Sequence, residues 1–141
     1  MKTENKPYRI IIDTNLWISF LIGKVLRGLQ NYLYHEKVVV ITCKEQIFEL
    51  TEVLNRSKFK KYISKNQVNE FFDLLDEVSE LVEIANMVHL CRDQEDDYLL
   101  SLALASNADY LVTGDKDLLE LKQIEGTVIL HFSAFEKIFV S

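Results

Sequence analysis

The chain has 141 residues, of which 48% are hydrophobic and 27% are charged, and its formal net charge at pH 7 is -6. This length and composition predict one soluble globular domain over residues 1–141 with a sizeable core, and they exclude a disordered chain. The apolar runs are too short to cross a bilayer and the N-terminus lacks the apolar stretch of a signal peptide, so we expect a cytoplasmic protein.

The first predicted strand is unusual because its apolar run ends abruptly in polar residues. Three isoleucines at 10–12 are typical of a strand buried on both faces of a parallel sheet, and Asp13, Thr14 and Asn15 follow directly. Ligands of open α/β sheets bind beyond the carboxyl ends of strands, so Asp13 stands where a functional acid is expected. From this stretch alone, a helix-capping role for Asp13 or Thr14 is an equal alternative.

The middle of the chain alternates between further strands and helices. Thr42 and Glu45 have the spacing of a helix capping box, and Ser64 and Gln67 repeat it. The predicted elements are a helix over 24–34, a strand over 38–42, a helix over 43–56, a helix over 68–82 and a third strand within 81–85. This order favours an α/β fold with a parallel sheet.

The last third repeats the pattern of the first strand. An acidic segment opens a predicted helix with the apolar residues Leu99, Leu100, Leu102 and Ala103, and a fourth strand over 109–113 is followed by Gly114 and Asp115. A final strand over 127–132 and a short helix over 133–139 end the chain, the helix with a third capping box at Ser133 and Glu136. Two strands therefore end close to an aspartate.

Carboxylates recur at one edge of the predicted sheet. Asp13 and Asp115 share that edge if their strands are parallel neighbours. The helices beside it bring further candidate acids: Glu49, Asp93, Asp96 and Asp97. Converging acids repel one another unless cations or raised pKa values neutralise them. Oxygen ligands without histidine or thiolate favour Mg²⁺ or Mn²⁺.

Three motifs carry a resemblance to a known family over essentially the whole chain: IIDTN at 11–15, FELTEVLNRSKF at 48–59 and RDQEDDYLLSLALASNADYLVTGDKDLL at 92–119. On these motifs the chain resembles the PIN-domain ribonucleases, and within them the toxins of bacterial toxin–antitoxin systems. The resemblance implies a three-layer α/β/α sandwich with a central parallel sheet. It also implies hydrolysis of RNA phosphodiester bonds with Mg²⁺ or Mn²⁺, an antitoxin partner and a homodimer.

The resemblance also assigns roles to individual residues. The family's catalytic and metal-binding acids fall on Asp13, Glu49, Asp97 and Asp115. Asp97 fits the third position because Leu100 and Ala103 follow it as the family's apolar pattern requires, and the adjacent Asp96 is the alternative. Candidate auxiliary residues beside these acids are Asn15, Asp93, Asp96, Thr113 and Asp117. We expect Asp93, Asp96 and Asp117 to be outer acids or helix-dipole partners.

Positive charge is concentrated in one segment of this acidic chain. The stretch 56–65 carries five basic residues and no acid. An acidic protein is an unusual partner for nucleic acid, because phosphates are negatively charged. The electrostatic potential at a binding site, however, depends on the local residues and on any bound cations. The candidate RNA-binding residues are Arg56, Lys58, Lys60 and Lys61, and a solvated surface without a ligand is the alternative.

Other enzymes on parallel sheets fit the sequence less well. Haloacid-dehalogenase phosphatases need a second aspartate two residues after the first, where this chain has Asn15. A dinucleotide-binding enzyme needs a glycine-rich first turn, which the four glycines do not form. The remaining alternative to a nuclease is a PIN fold that serves as a protein-interaction module with weak or no catalysis.

Overall fold

A mostly parallel central sheet organises the computed structural model, which describes residues 6–23, 27–87 and 97–140. Its strands are β1 Tyr8–Ile12, β2 Val38–Thr42, β3 Ser79–Leu81, β4 Tyr110–Val112, β5 Gln123–Ile124 and β6 Thr127–Leu130. The helices are α1 Thr14–Ile22, α2 Gln30–Leu33, α3 Lys44–Leu54, α4 Ser57–Lys60, α5 Lys65–Val78, α6 Asp97–Ser106, α7 Lys116–Leu121 and α8 Phe132–Val140. A 3₁₀ turn at Arg27–Leu29 precedes α2.

The strand order places β1 and β4 side by side in the middle of the sheet. The order is β3-β2-β1-β4-β6-β5, and every pair is parallel except β5 with β6. Ile12 pairs with Val112, and the amide of Asp13 donates to the carbonyl of Val112 at 3.0 Å. The carboxyl ends of these two strands therefore meet, as the sequence predicted.

Helices cover both faces of the sheet, which explains the run of three isoleucines. Ile10 and Ile12 pack in a core beneath α1, α2, α3, α5 and α8, while Ile11 packs on the opposite face with α6 and α7. All three side chains are at most 1% exposed. Because side chains alternate across a strand, a strand covered on both faces needs apolar residues at successive positions. The three-layer α/β/α architecture is confirmed.

The predicted strand within 81–85 lies earlier in the chain. The preceding helix, α5, ends at Val78, and β3 occupies Ser79–Leu81, paired in parallel with β2. A further strand, Gln123–Ile124, was missed because it is only two residues long and pairs antiparallel with β6 across a tight turn. The predicted helix over 24–34 falls partly outside the described residues. What is described of it is the 3₁₀ turn and the short α2.

One of the three predicted capping boxes forms as expected. Ser64 Oγ accepts from the amide of Gln67 at 3.1 Å, and the Ser64 amide donates to Gln67 Oε1 at 2.8 Å. The box at Ser133 is wrong because α8 already begins at Phe132. No helix among the described residues is long and apolar enough to span a membrane.

The box at Thr42 is also wrong, because its hydroxyl serves a different purpose. Cys43 is the residue that caps α3, without a side-chain hydrogen bond. Thr42 Oγ1 donates to Gln46 Oε1 at 2.6 Å, and Gln46 Nε2 donates to the carbonyl of Ile12 at 2.6 Å. Both polar side chains are buried, so this pair fixes the start of α3 to the carboxyl end of β1.

Candidate active site

A cleft of about 340 Å³ lies at the carboxyl edge of the sheet, beyond β1 and β4. Its walls come from the start of α1, one side of α3, the first turn of α6 and the end of the β4–α7 loop. The lining residues are Asp13, Thr14, Asn15, Glu45, Phe48, Glu49, Glu52, Val53, Arg56, Tyr98 and Asp115. Five of these residues are acids and one is an arginine. An anionic substrate therefore meets a strongly negative wall unless cations are bound.

Asp13 lies at the bottom of this cleft and is only 5% exposed. Its Oδ2 accepts from Thr113 Oγ1 at 2.6 Å and its Oδ1 accepts from the amide of Asn15 at 3.2 Å. Burial raises the pKa of Asp13 above its ordinary value, although the hydrogen bonds from Thr113 and Asn15 oppose the rise. The charges of Asp115 and Glu49 raise this pKa further. A cation bound among these groups would stabilise the ionised form of Asp13.

Asp115 caps a helix and also faces the cleft. Its Oδ1 accepts from the amides of Asp117 and Leu118 at 2.8 and 3.4 Å, and its Oδ2 makes no hydrogen bond to the described residues. The amide of Asp115 donates to Thr113 Oγ1 at 3.0 Å, so one hydroxyl joins the two aspartates. Asp13 likewise caps α1. Capping and a functional position are therefore compatible, because a carboxylate has two oxygens.

Glu49 is held by a buried tyrosine from the other side of the sheet. Tyr98 on α6 donates its hydroxyl proton to Glu49 Oε1 at 2.6 Å. A phenol has one proton, so Thr14 Oγ1 is the donor in its 2.8 Å bond to the Tyr98 oxygen. Burial and the hydrogen bond to Glu49 raise the pKa of Tyr98, which keeps the phenol protonated. The chain from Thr14 through Tyr98 orients the Glu49 carboxylate.

Sequence reasoning missed Tyr98, Gln46 and Glu45 as parts of this site. Tyr98 directly follows the run of acids that drew attention away from it, and Gln46 was overlooked because Glu45 completed an apparent capping box. Glu45 instead lines the cleft, and its Oε1 is buried without a hydrogen-bond partner among the described residues. The usable signal was the spacing of Glu45, Glu49 and Glu52, which share one side of α3.

The predicted acids do not all reach the cleft. Asp13, Glu49 and Asp115 line it, while Asp97 is buried at the start of α6 and is not among the lining residues. Asp117 is half-buried in the first turn of α7 and is also not a lining residue. The candidates Asp93 and Asp96 lie outside the described residues.

The predicted auxiliary and RNA-binding residues divide in the same way. Asn15 lines the cleft, and Thr113 lies buried behind Asp13. Arg56 lines the cleft just beyond the end of α3. The other candidate RNA-binding residues are exposed further along the chain: Lys58, Lys60 and Lys61.

The donor chemistry of the cleft suits a hard divalent cation. Its acids offer only oxygen atoms, and the charges of Asp115 and Glu49 act on the buried carboxylate of Asp13. Among the described residues, no three aspartate, glutamate, histidine or cysteine side chains already form a metal-binding group. Mg²⁺ keeps several of its water ligands, so it does not need a closed protein cage. The residues present therefore fit such an ion in chemistry.

Comparison with known sequences identifies related proteins. A family model described as "PIN domain" matches residues 9–117. The uncharacterized protein MJ1680 of Methanocaldococcus jannaschii is 30% identical to this chain over 128 residues, which cover 86% of this chain and 79% of that protein. The family-model match includes the elements that carry Asp13, Glu49 and Asp115.

Comparison with solved structures shows the same fold in two other proteins. The structure of VapBC2 from Rickettsia felis, bound to a DNA fragment from its promoter, aligns with a TM-score of 0.58 and 17% identity over 86% of this chain and 96% of that one. The PIN domain endonuclease Utp24 aligns with a TM-score of 0.53 and 21% identity over 87% of this chain and 84% of that one. At these identities the likeness is one of fold.

Proposed function

The chain belongs to the PIN domain family, and on that premise we propose that it is a metal-dependent endoribonuclease that hydrolyses RNA phosphodiester bonds in the acidic cleft. One observation carries the proposal. The buried carboxylate of Asp13 lies within the electrostatic reach of Asp115 and Glu49, and no ion pair from the described residues neutralises these three acids. Such an arrangement costs free energy in the unliganded protein, and a bound cation recovers it.

The proposed roles follow from the hydrogen bonds of the site. Asp13, Glu49 and Asp115 would hold Mg²⁺ or Mn²⁺, with Asp97, or alternatively Asp96, as the fourth acid. When bound, the divalent ion supplies activation of water and stabilisation of the departing oxygen's charge. Thr113 orients the carboxylate of Asp13 and holds the backbone of Asp115, and Tyr98 orients Glu49. No side chain is required as a nucleophile.

The basic segment next to the cleft supports RNA as the substrate. Arg56 lines the cleft, and the exposed side chains of Lys58, Lys60 and Lys61 follow it along the chain. Their position fits a path in which the phosphates of a bound strand leave the acidic cleft and reach positive surface. Phosphate contacts of this kind make binding strongly dependent on salt.

We also propose a toxin role within a toxin–antitoxin pair, with an antitoxin protein as partner, a homodimeric state and a cytoplasmic location. The support is family membership and the similarity in fold to VapBC2. The proposed activity belongs to the single domain expected over residues 1–141. A protein-interaction module without catalysis is the alternative, and the absence of a preformed three-ligand group in the described residues is the observation that favours it.

A cleavage assay with the purified protein tests the proposal. We expect a panel of single-stranded and hairpin RNAs to be cut with Mg²⁺ or Mn²⁺ and to stay intact with EDTA. Asp13→Asn should lower the rate by about two orders of magnitude or more, the size of effect seen when a group that stabilises transition-state charge is removed. Glu80→Gln is the matched control, because Glu80 is exposed and pairs with Arg9 away from the cleft.

Two results would count against this function. Equal cleavage rates in EDTA and in Mg²⁺ would rule out the metal requirement. Intact RNA under every condition, with a folded protein, would leave the interaction module as the better interpretation.

A further inference from the structure

Phe48 is an exposed aromatic side chain at the acidic cleft. It is 65% exposed and lines the cleft from α3. The structure describes all eight phenylalanines of the chain, and the other seven are buried or half-buried. Most of them stack against other rings in the core, whereas Phe48 makes no ring contact with a described residue. Its ring is therefore available to a ligand.

The charge of the cleft explains what an uncharged ring can contribute there. Phe48 stands between Glu45, Glu49 and Glu52 on the same side of α3. These acids repel the phosphates of an approaching nucleic acid, so charge alone does not hold a strand at this point. A nucleobase is neutral, and every base has a π-face that stacks on an aromatic side chain. Stacking supplies affinity where phosphate contacts cannot.

A basic residue just beyond the end of α3 supplies the complementary contact. Arg56 is the one basic residue among the described residues that line the cleft, and Val53 also lines it. α3 ends at Leu54 with Asn55 as its C-cap, so Arg56 stands directly before the next helix, α4. A strand that stacks a base on Phe48 can place a neighbouring phosphate near Arg56, at the start of the basic segment.

We propose that Phe48 stacks on an unpaired base of the RNA beside the cut, and that this contact makes the protein select single-stranded over duplex RNA. The inference rests on the proposed nuclease function for its substrate. A base inside a duplex has both faces covered by its neighbours, so it offers no face to Phe48 without melting. Phe48 is thus a specificity residue outside the set of acids.

The test measures RNA binding with defined probes. Binding of a fluorescent 12-nucleotide single-stranded adenosine RNA is measured with Mg²⁺ in the Asp115→Asn background, which limits turnover. Phe48→Leu should weaken binding about tenfold, within the range of base stacking on one aromatic side chain, whereas Phe48→Trp should keep it. The Phe48→Leu change should matter little for an RNA of the same length with abasic nucleotides or for the adenosine–uridine duplex. Leucine keeps the apolar character of the site, and an exposed position tolerates the change.

A second aromatic residue gives the matched control. Tyr34 is 62% exposed and lies outside the cleft, so Tyr34→Leu should leave binding unchanged. Equal affinity of Phe48→Leu and its parent for the single-stranded probe would overturn the proposal, and so would an equal loss on abasic RNA. A Phe48 whose role is to bind a protein partner would give the first of these results.

The outcome is separable from that of the nuclease proposal. Phe48-dependent binding by a wild-type protein that cleaves no RNA would overturn the nuclease function and leave the stacking contact in place. Metal-dependent cleavage combined with Phe48-independent binding would overturn the stacking contact and leave the nuclease function in place.

Discussion

The side chains at the amino ends of strands β1 and β4 differ in chemistry from those at the carboxyl ends. At their amino ends, the ring of Tyr8 lies 5.8 Å from that of Tyr110, and aromatic residues of α8 extend the cluster. The charged groups there have partners within the chain: Arg9 donates from its guanidinium to Glu80 at 2.6 Å and to the carbonyl of Ser106 at 2.9 Å. The amide of Arg9 also donates to the carboxylate of Asp109 at 2.8 Å.

At the carboxyl ends of the same strands, acids collect without a matching cation. Asp13 and Asp115 share the hydroxyl of Thr113, and Glu49 is held by Tyr98, but no described ion pair neutralises any of these carboxylates. The charged groups at the amino ends therefore have partners within the chain, whereas the carboxylates at the carboxyl ends have no cationic partner among the described residues. We expect the carboxyl ends to bind a ligand. Mutations at the first end should therefore change stability, and mutations at the second should change ligand binding.

The largest expected effect lies in the aromatic cluster. Phe135 is 1% exposed, and its ring contacts those of Tyr32, Tyr110 and Phe139. Phe135→Ala should lower the free energy of unfolding by about 3–5 kcal/mol, because it leaves a cavity in a packed core. Urea unfolding measures the loss, with Phe48→Ala as the exposed control. A loss below roughly 1 kcal/mol would mean that the cluster does not stabilise the fold.

The second effect is stabilisation by a divalent ion. At about a hundredfold excess over its Kd, an ion that binds only the folded state stabilises it by roughly 2.7 kcal/mol. Thermal melts with EDTA and with Mn²⁺ should show this for the wild type, whereas Asp115→Asn and Asp115→Ala should gain much less. In EDTA, Asp115→Asn should be as stable as the wild type, since asparagine also caps helices. Asp115→Ala should be lower by about 1 kcal/mol.

The two variants distinguish a metal-binding role of Asp115 from a role as a helix cap alone. Equal metal-induced shifts in all three proteins would remove Asp115 from the site. A large loss of stability in EDTA for both variants would make the carboxylate structural.

A smaller effect is expected at Tyr98, which reaches Glu49 from the opposite face of the sheet. Tyr98→Phe removes the hydroxyl that orients Glu49 and keeps the ring, which is 8% exposed. Metal affinity should fall about tenfold, the lower end of the range for a residue that positions a metal ligand. Titration of Mn²⁺ binding measures this directly. An unchanged Kd would show that Glu49 needs no support or binds no metal.

The smallest effect is a dependence of stability on pH. Burial raises the pKa of Asp13 in the folded protein above the unfolded value of 3.8, so the folded state holds this proton to a higher pH. In EDTA, the contribution of Asp13 to stability is therefore greatest below pH 3.8 and declines as pH rises through the raised pKa. Mg²⁺ favours the ionised carboxylate and should offset that decline. Urea unfolding between pH 4 and 8 with and without Mg²⁺ checks the sign, and identical profiles would contradict it.

Much of the fold follows from local sequence patterns. The strand over 38–42 has the predicted bounds, and the box at Ser64 and Gln67 forms because both partners lie within one helical turn. The predictions at Thr42 and Ser133 were wrong because a capping pattern does not record what else competes for the hydroxyl or where the helix begins. The two-residue β5 gave too short a pattern to recognise.

The sequence by itself determined that two apolar strands end near aspartates, and it placed Asp13 and Asp115 at one edge on the condition that these strands are parallel neighbours. The structure supplies that pairing. Only the tertiary structure decided which side chains join them. Tyr98 reaches Glu49 from the opposite face of the sheet, and Phe48 is turned outward on α3 while Leu50 is buried. Strand and helix periodicity is a local property that the chain carries in its residues. The rotation of α3 about its own axis depends on how the helices pack against the sheet. The same packing brings together Glu49 and Tyr98, which are 49 positions apart in the sequence.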